Sequence, residues 1–185
     1  QCVDLGCESA TFFAMSSENM QRENEEIEFI STLLKSSIEK HLPDLLSNNI
    51  KFKIIGDTSI LPEDVKEVVN EAERATKDFS KLKMYIAYNY GGYWDILNAV
   101  KSLLSNNDNV TYENLSRYLS TDIDFPDLIV RTGGYKRLSN FMLWQAGYSE
   151  LGFLDVLWPD ISKHDIDLLF KQYRNIKRNF GKIKQ

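Results

Sequence analysis

Two stretches of this 185-residue chain concentrate residue types suited to holding anions. In RTGGYKRLSNF, residues 131–141, the cations Arg131, Lys136 and Arg137 accompany two glycines that let backbone approach a ligand, and Ser139 and Asn140 add neutral hydrogen-bonding groups. The stretch reads either as a phosphate or diphosphate site or as a loop whose arginines pair with surface carboxylates. In SSENMQR, residues 16–22, Ser16, Ser17, Asn19 and Arg22 also suit an oxyanion, and capping of a following helix explains them equally well. Neither stretch is a Walker loop, which disfavours ordinary nucleotide hydrolysis. Asp122, Asp124 and Asp127 precede a short apolar run, at the wrong end of a strand for a ligand, and read as a charged loop. His41 and His164 are far apart and read as surface or helix-end residues.

The elements that must position these residues follow from hydrophobic period. Residues 9–14 (SATFFA) are β-branched and aromatic, a strand feeding the first polar loop. Ile27, Ile30, Leu34, Ile38 and Leu42 recur every three or four residues, predicting a helix that Pro43 should end or kink. Residues 51–55 (KFKII) predict a strand closed by Gly56 and Asp57. Pro62, Glu63 and Asp64 then open a helix that buries Val65, Val68, Val69 and Ala72. Leu82, Met84, Ile86 and Tyr88 alternate as a third strand before Gly91 and Gly92. Trp94, Leu97, Val100 and Leu104 mark another helix, and Leu115, Tyr118 and Leu119 a short one behind Thr111 as N-cap. Residues 127–130 (DLIV) form a short strand running into Arg131, and Ile166, Leu169, Phe170, Tyr173 and Ile176 a last amphipathic helix. Strands separated by helices predict an α/β fold, a mostly parallel central sheet flanked by helices with ligands at the carboxyl ends of its strands. No repeat or low-complexity stretch divides the chain, so a single domain over 1–185 is expected.

Composition narrows the function classes. With 43% hydrophobic and 26% charged residues the chain is neither disordered nor collagenous, and its length buries a sizeable core without disulfides. A net charge of −5 argues against a general nucleic-acid binder. Cys2 and Cys7 outline neither a zinc site nor a disulfide framework, which points to a reducing compartment. No apolar run approaches the ~20 residues that span a bilayer. The final residues hold Lys171, Arg174, Lys177, Arg178, Lys182 and Lys184, either a solvated helix face and tail or a contact for an anionic ligand, partner or membrane. Phe141, Trp144, Tyr148, Phe153 and Trp158 read as core or dimer-interface residues.

The stretch PDLIVRTGGYKRLSNFMLWQAGYSELGFLDVLWPD, residues 126–160, resembles the C-terminal signature of the cis-prenyltransferases, especially bacterial undecaprenyl diphosphate synthases. SSENMQR resembles their Ser-Ser-Glu-Asn-Trp-x-Arg loop, FKIIGD their second-strand motif and NYGGYWDI their Asn-Tyr-Gly-Gly-Arg-Trp-Asp-Ile segment, all in family order. The resemblance implies a cis-prenyltransferase-like fold with an apolar product tunnel, usually a homodimer. It implies condensation of isopentenyl diphosphate onto an allylic diphosphate, usually farnesyl diphosphate, to give a polyprenyl diphosphate such as undecaprenyl diphosphate, a lipid carrier for envelope glycans. Mg2+ as cofactor, no nucleic-acid partner, and a cytoplasmic location with peripheral membrane contact for product release belong to the same expectation.

Carried over by position, the resemblance gives Arg131, Arg137, Leu138 and Ser139 to the isopentenyl diphosphate and Glu150 to the metal. Ser16, Ser17, Glu18, Met20 and Arg22 would border the allylic substrate, with Asn19 as the catalytic residue at proton abstraction. A carboxamide is a poor base at neutral pH, so its easier role is to orient the group that takes the proton. The family's Asp-Gly-Asn-Gly-Arg-Trp segment, with its magnesium-anchoring aspartate, does not occur in these residues. The expectation is therefore a domain lacking that N-terminal strand and loop and inactive by itself; the alternative is a noncatalytic accessory subunit or inactive fragment. Met20 stands where the family has Trp, Tyr93 where it has Arg, Tyr135 where it has Glu and Lys136 where bacterial relatives often have His.

Overall fold

The β-branched and aromatic run near the start forms β1 (Ser9–Phe13), as its composition dictates. The computed structural model to which it belongs describes residues 1–21, 23–123 and 125–178. Arg22, Asp124, Lys182 and Lys184 lie outside the described residues. The chain divides into two compact units, Gln1–Asp122 and Ile123–Gln185.

In the first unit, β1, β2 (Ile50–Ile55) and β3 (Leu82–Ala87) form a parallel sheet in the order β1-β3-β2. Met84 of β3 pairs with Ala10 on one side and Phe52 on the other, so the last strand in sequence is the central one. Two helices, α1 (Asn24–Ser47) and α2 (Glu63–Thr76), make the crossovers, and their apolar stripes meet the sheet. Ile38, Leu45, Val65, Val69 and Ala72 from the helices pack with Phe52, Ile54, Met15, Leu61 and Tyr88 into one core. Each large aliphatic side chain so removed from water contributes about 1.5–3 kcal/mol. α2 also protects the outer edge of β2: Thr76 Oγ1 accepts the Phe52 N–H at 3.0 Å and Glu73 Oε1 the Ile54 N–H at 2.8 Å. That takes up backbone donors that an open edge strand would present for aggregation.

α1 does not stop at Pro43 as its sequence suggests; it continues to Ser47. An internal proline costs about 3 kcal/mol, and burial of Leu45 beyond it, with partial burial of Leu42 just before it, offsets that cost. The opposite face of the sheet presents Lys53, Lys83 and Tyr85, and is met by the segment that follows α3 (Gly92–Ser105) and α4 (Tyr112–Tyr118). Lys53 Nζ donates to Ser120 O at 3.2 Å and Lys83 Nζ to Asp122 at 2.6 Å, while Tyr85 Oη also donates to Asp122. Thr111 caps α4 as expected, its hydroxyl accepting the Asn114 N–H at 3.1 Å.

The second unit is built on β4 (Leu128–Arg131) and β5 (Glu150–Phe153), paired in parallel with Leu128 opposite Glu150 and Arg131 opposite Phe153. β5 escapes a reading by period, because four residues with an internal glycine carry no alternation. Its Gly152 makes room for α5 (Lys163–Arg174): a Cβ there would stand 3.0 Å from Leu169 Cδ2. A reciprocal Ser162–Asp165 capping box starts α5, which ends at Arg174, before Ile176. Beyond it Arg178 donates to Asp127, to Tyr148 O at 2.8 Å and to Tyr173 Oη at 3.1 Å, so one member of the basic end has a structural task inside this unit. Lys171, Arg174 and Lys177 are exposed. Among the described residues no helix is long and apolar enough to cross a membrane.

Candidate active site

β4 ends on Arg131, and the loop beyond it folds back around that side chain. Gly133 and Gly134 take φ of +83° and +77°, which a side-chain-bearing residue adopts only with strain. Their N–H groups donate to Val156 O and Leu154 O, each at 2.9 Å, tying the turn to the residues after β5. Farther along, Ser139, Asn140 and Met142 also take positive φ, at +49°, +62° and +46°. Such conformations cost about 1–2 kcal/mol per residue, and the burial of Met142 and Gln145, each 1% exposed, anchors the loop against that cost.

The strained turn gathers three of the residues expected to bind isopentenyl diphosphate. Arg131 Nη1 donates to Arg137 O at 2.6 Å and to Ser139 Oγ at 2.7 Å. Tyr135 adds a contact that sequence reasoning missed: its ring centroid lies 4.3 Å from Arg137 Cζ and 5.6 Å from Arg131 Cζ, so its π system attracts both guanidinium groups. Among the described residues the hydrogen bonds of the Arg131 side chain go to Arg137 O and Ser139 Oγ. Leu138 is half-buried in the same turn, its carbonyl accepting the Phe141 N–H at 3.1 Å. Arg137, Ser139 and Lys136 are exposed and Arg131 half-buried, a cationic patch that can engage several oxygens of one anion.

In the first unit the loops after all three strands are stitched to one another. Tyr90 N donates to Met15 O at 3.2 Å and Ser17 N to Tyr90 O at 2.9 Å, joining the Ser16 loop to the segment after β3. Asn89 Nδ2 donates to Asp57 O at 3.0 Å and Asp57 N to Asn89 O at 3.2 Å, joining that segment to the loop after β2. Beneath them lies a polar post absent from the list of expected site residues. Asp95, 1% exposed, accepts from Tyr90 Oη at 3.0 Å, from Ser120 N at 2.9 Å and from the Ser120 hydroxyl. The signal for it was the Asp of NYGGYWDI, in the first turn of α3 and without any place in an apolar stripe.

On this platform Ser17–Gln21 makes a 3-10 turn. Asn19 N donates to Ser16 O at 3.0 Å, and Ser16 N donates to Asn19 Oδ1 at 3.2 Å. A backbone N–H requires an acceptor, so the amide oxygen of Asn19 is the atom turned to Ser16 N, with one lone pair used there, and its NH2 group supplies the donors. Ser17 Oγ donates to Glu18 Oε2 at 3.2 Å, and Met20 packs half-buried against the core beside Ile30 and Leu34. Arg22 lies outside the described residues.

The carboxylates fall into other roles. Partial burial pushes the Asp122 carboxyl up, but hydrogen bonds from Lys83 and Tyr85 outweigh it and hold the group below the usual carboxylate range. Asp127 pairs with Arg178, so the charged-loop reading of these aspartates describes both. Glu150, expected to hold metal, opens β5 opposite Leu128, three residues or about 10 Å along the strands from the Arg131 level and on the other face of the pair. Magnesium takes one or two carboxylates together with phosphate and water oxygens. Glu150 offers one such oxygen donor group, but away from Arg131, and no group of three His, Cys, Asp or Glu able to hold an ion occurs among the described residues. Of the five aromatic residues expected in a core or interface none is fully buried, and Tyr148 and Trp158 are exposed.

Comparison with known proteins adds an independent line. Residues 1–181 match the prenyltransferase family described as "Putative undecaprenyl diphosphate synthase". The chain is 38% identical over 189 residues to an isoprenyl transferase of Nitrosomonas europaea, with 100% of the chain and 72% of that relative covered. It is also 38% identical, over 98% of its length and 74% of the relative, to the tritrans,polycis-undecaprenyl-diphosphate synthase (geranylgeranyl-diphosphate specific) of Thermoplasma volcanium. Among solved structures, "a probable undecaprenyl diphosphate synthase" from Campylobacter jejuni matches with a TM-score of 0.91 at 35% identity, covering 98% of this chain and 86% of that one. Lavandulyl diphosphate synthase from Lavandula x intermedia, in complex with dimethylallyl diphosphate, matches with a TM-score of 0.90 at 28% identity over 97% and 81%.

Proposed function

This chain belongs to the prenyltransferase family of the undecaprenyl diphosphate synthases, and from that premise we propose that it lengthens an allylic diphosphate, farnesyl diphosphate, by repeated cis addition of isopentenyl diphosphate. The observation that carries the reading is that Arg131 bonds to Ser139 Oγ and to the Arg137 carbonyl while the Tyr135 ring lies against both guanidinium groups. Two guanidinium groups and a hydroxyl fixed in advance suit the diphosphate of isopentenyl diphosphate, which must stay bound while its alkene reacts. The new carbon–carbon bond forms as the allylic C–O bond breaks, the departing diphosphate gains negative charge, and a proton leaves the extended chain. Donors already in place favour that charge without reorganising during the reaction. The NH2 group of Asn19 suits the orientation of a phosphate oxygen or a water that removes the proton; its oxygen, engaged by Ser16, suits no proton transfer of its own.

The finer parts of the proposal have separate supports. Magnesium dependence rests on the family resemblance alone. The half-buried Met20, Ile30, Leu34, Met84 and Ile86 supply apolar walls for a product tunnel within the first unit. Exposed Leu151, Leu157 and Trp158, at 47%, 62% and 58%, offer the second unit apolar surface that a homodimer would cover. Exposed Lys171, Arg174 and Lys177 suit a passing contact with anionic lipid during product release. The test incubates the complete protein with radiolabelled isopentenyl diphosphate, Mg2+ and, in parallel, farnesyl, geranylgeranyl or dimethylallyl diphosphate, and separates products by size. A ladder of extended products from farnesyl diphosphate is expected. No extension from any primer would replace the enzyme with the accessory subunit.

A further inference from the structure

Cys2 and Cys7 have no part in the site just described, and the turn that holds them has a definite geometry. Leu5 N donates to Gln1 O at 2.9 Å, Gly6 N to Val3 O at 3.1 Å and Cys7 N to Cys2 O at 3.0 Å. Gly6 takes φ of +76°. A fifth-to-second and a sixth-to-first hydrogen bond around a left-handed glycine form a Schellman stop, a motif that frequently brings the first and sixth side chains together. In this chain those two positions are its two cysteines.

The 3.0 Å bond also bounds the span between them. Adding about 2.4 Å from a carbonyl oxygen to its Cα and about 1.5 Å from an amide nitrogen to its Cα keeps the two Cα atoms within about 7 Å. Disulfides bridge Cα separations of about 4.4–6.8 Å, so the backbone is already near the required span. Both cysteines are half-buried thiols, within reach of a small reagent.

We propose that Cys2 and Cys7 are a modification site, a dithiol that closes to an intrachain disulfide by exchange with a small-molecule disulfide of the glutathione type. The thiolate of one cysteine attacks a sulfur of the reagent, forming a mixed disulfide and expelling one small thiolate. The other cysteine's thiolate then attacks the protein-side sulfur and expels the second. One S–S bond is broken and one formed, two electrons pass to the reagent, and the two protein protons end on the two released thiols. Closure ties the turn directly before β1, next to Glu8, whose carbonyl accepts the Lys83 N–H at 2.9 Å.

The experiment treats the full chain with oxidised glutathione and reads intact mass and the tryptic peptide that holds Cys2 and Cys7. Closure is expected to remove about 2 Da from the wild-type chain with no glutathione retained, whereas Cys2→Ser and Cys7→Ser each keep one glutathione. Gly6→Ala, checked for an unchanged circular dichroism spectrum, is expected to close about tenfold more slowly, because alanine resists the left-handed conformation. Retained glutathione on the wild type, a disulfide between chains, no reaction, or equal closure rates with and without Gly6 would each overturn the proposal.

Discussion

Replacing Tyr135 by leucine tests the diphosphate site without touching a group that donates to the ligand. The ring lies 4.3 Å from Arg137 Cζ and 5.6 Å from Arg131 Cζ, and is 55% exposed. Cation–π attraction at exposed sites is worth about 0.5–1 kcal/mol, and the longer contact lies near the limit of its range. Together the two contacts come to about 1 kcal/mol, or roughly a fivefold change in an equilibrium constant. The sign follows from geometry: the ring draws on the cations through its π face and takes up none of their N–H donors, so it holds the arginines in place while leaving those donors available to phosphate oxygens. Tyr135→Leu is therefore expected to raise KM for isopentenyl diphosphate about fivefold with little change in kcat, and Tyr135→Phe to leave both unchanged. Steady-state kinetics on the complete protein, at saturating allylic primer, reads both constants. An unchanged KM in the leucine variant refutes the positioning role, and a lowered one shows instead that the ring obstructs the site.

Arg131→Lys keeps the charge but loses the planar fork that reaches Arg137 O and Ser139 Oγ together, so kcat/KM for isopentenyl diphosphate should fall by at least tenfold, and by about 10²- to 10³-fold in Arg131→Ala. Asn19→Asp separates orientation from proton abstraction: a carboxylate is the better base but repels diphosphate and cannot donate, so single-turnover rates should fall about 100-fold, and an equal or faster rate would make residue 19 the base. Asp95→Ala leaves Tyr90 Oη and the Ser120 N–H without their buried acceptor and should cost about 3 kcal/mol in urea unfolding. The carboxyl of Asp122 is held below its ordinary value, so its contribution is present above the unfolded pKa of about 4 and lost as pH falls through the lower folded value. Asp122→Asn should accordingly cost at most about 1 kcal/mol at pH 7, solvent screening included, and less as pH falls below the unfolded value, read from urea midpoints across that range.

The strands and helices of the first unit were legible because each buries one face, and a buried face writes its period into the chain. The stripe Ile30, Leu34, Ile38 and the alternation of Leu82, Met84 and Ile86 are such records. Where burial and local propensity disagreed, as at Pro43, the helix went on because Leu45 beyond it had a core to enter. β5 was illegible for the converse reason: Gly152 matters through the space it leaves for Leu169, a demand set by another element.

The polar residues of the site were legible by type and not by partner. Arg131, Arg137 and Ser139 could be named from the motif, whereas Tyr135 as the ring beside two cations depends on a turn with several left-handed residues that no periodicity announces. Asn19 shows how far the difference reaches into chemistry. As a residue type it offers both an acceptor and a donor, and one 3.2 Å bond from the Ser16 N–H occupies one of the oxygen's two lone pairs and fixes which way the amide turns. The backbone that supplies this bond is itself held by Tyr90, and Tyr90 by Asp95, a carboxylate buried too deep to touch a substrate. The orientation of the residue 19 amide thus rests on a chain of contacts ending in the interior, which is why substitution at Asp95 should alter stability and the geometry of Asn19 together.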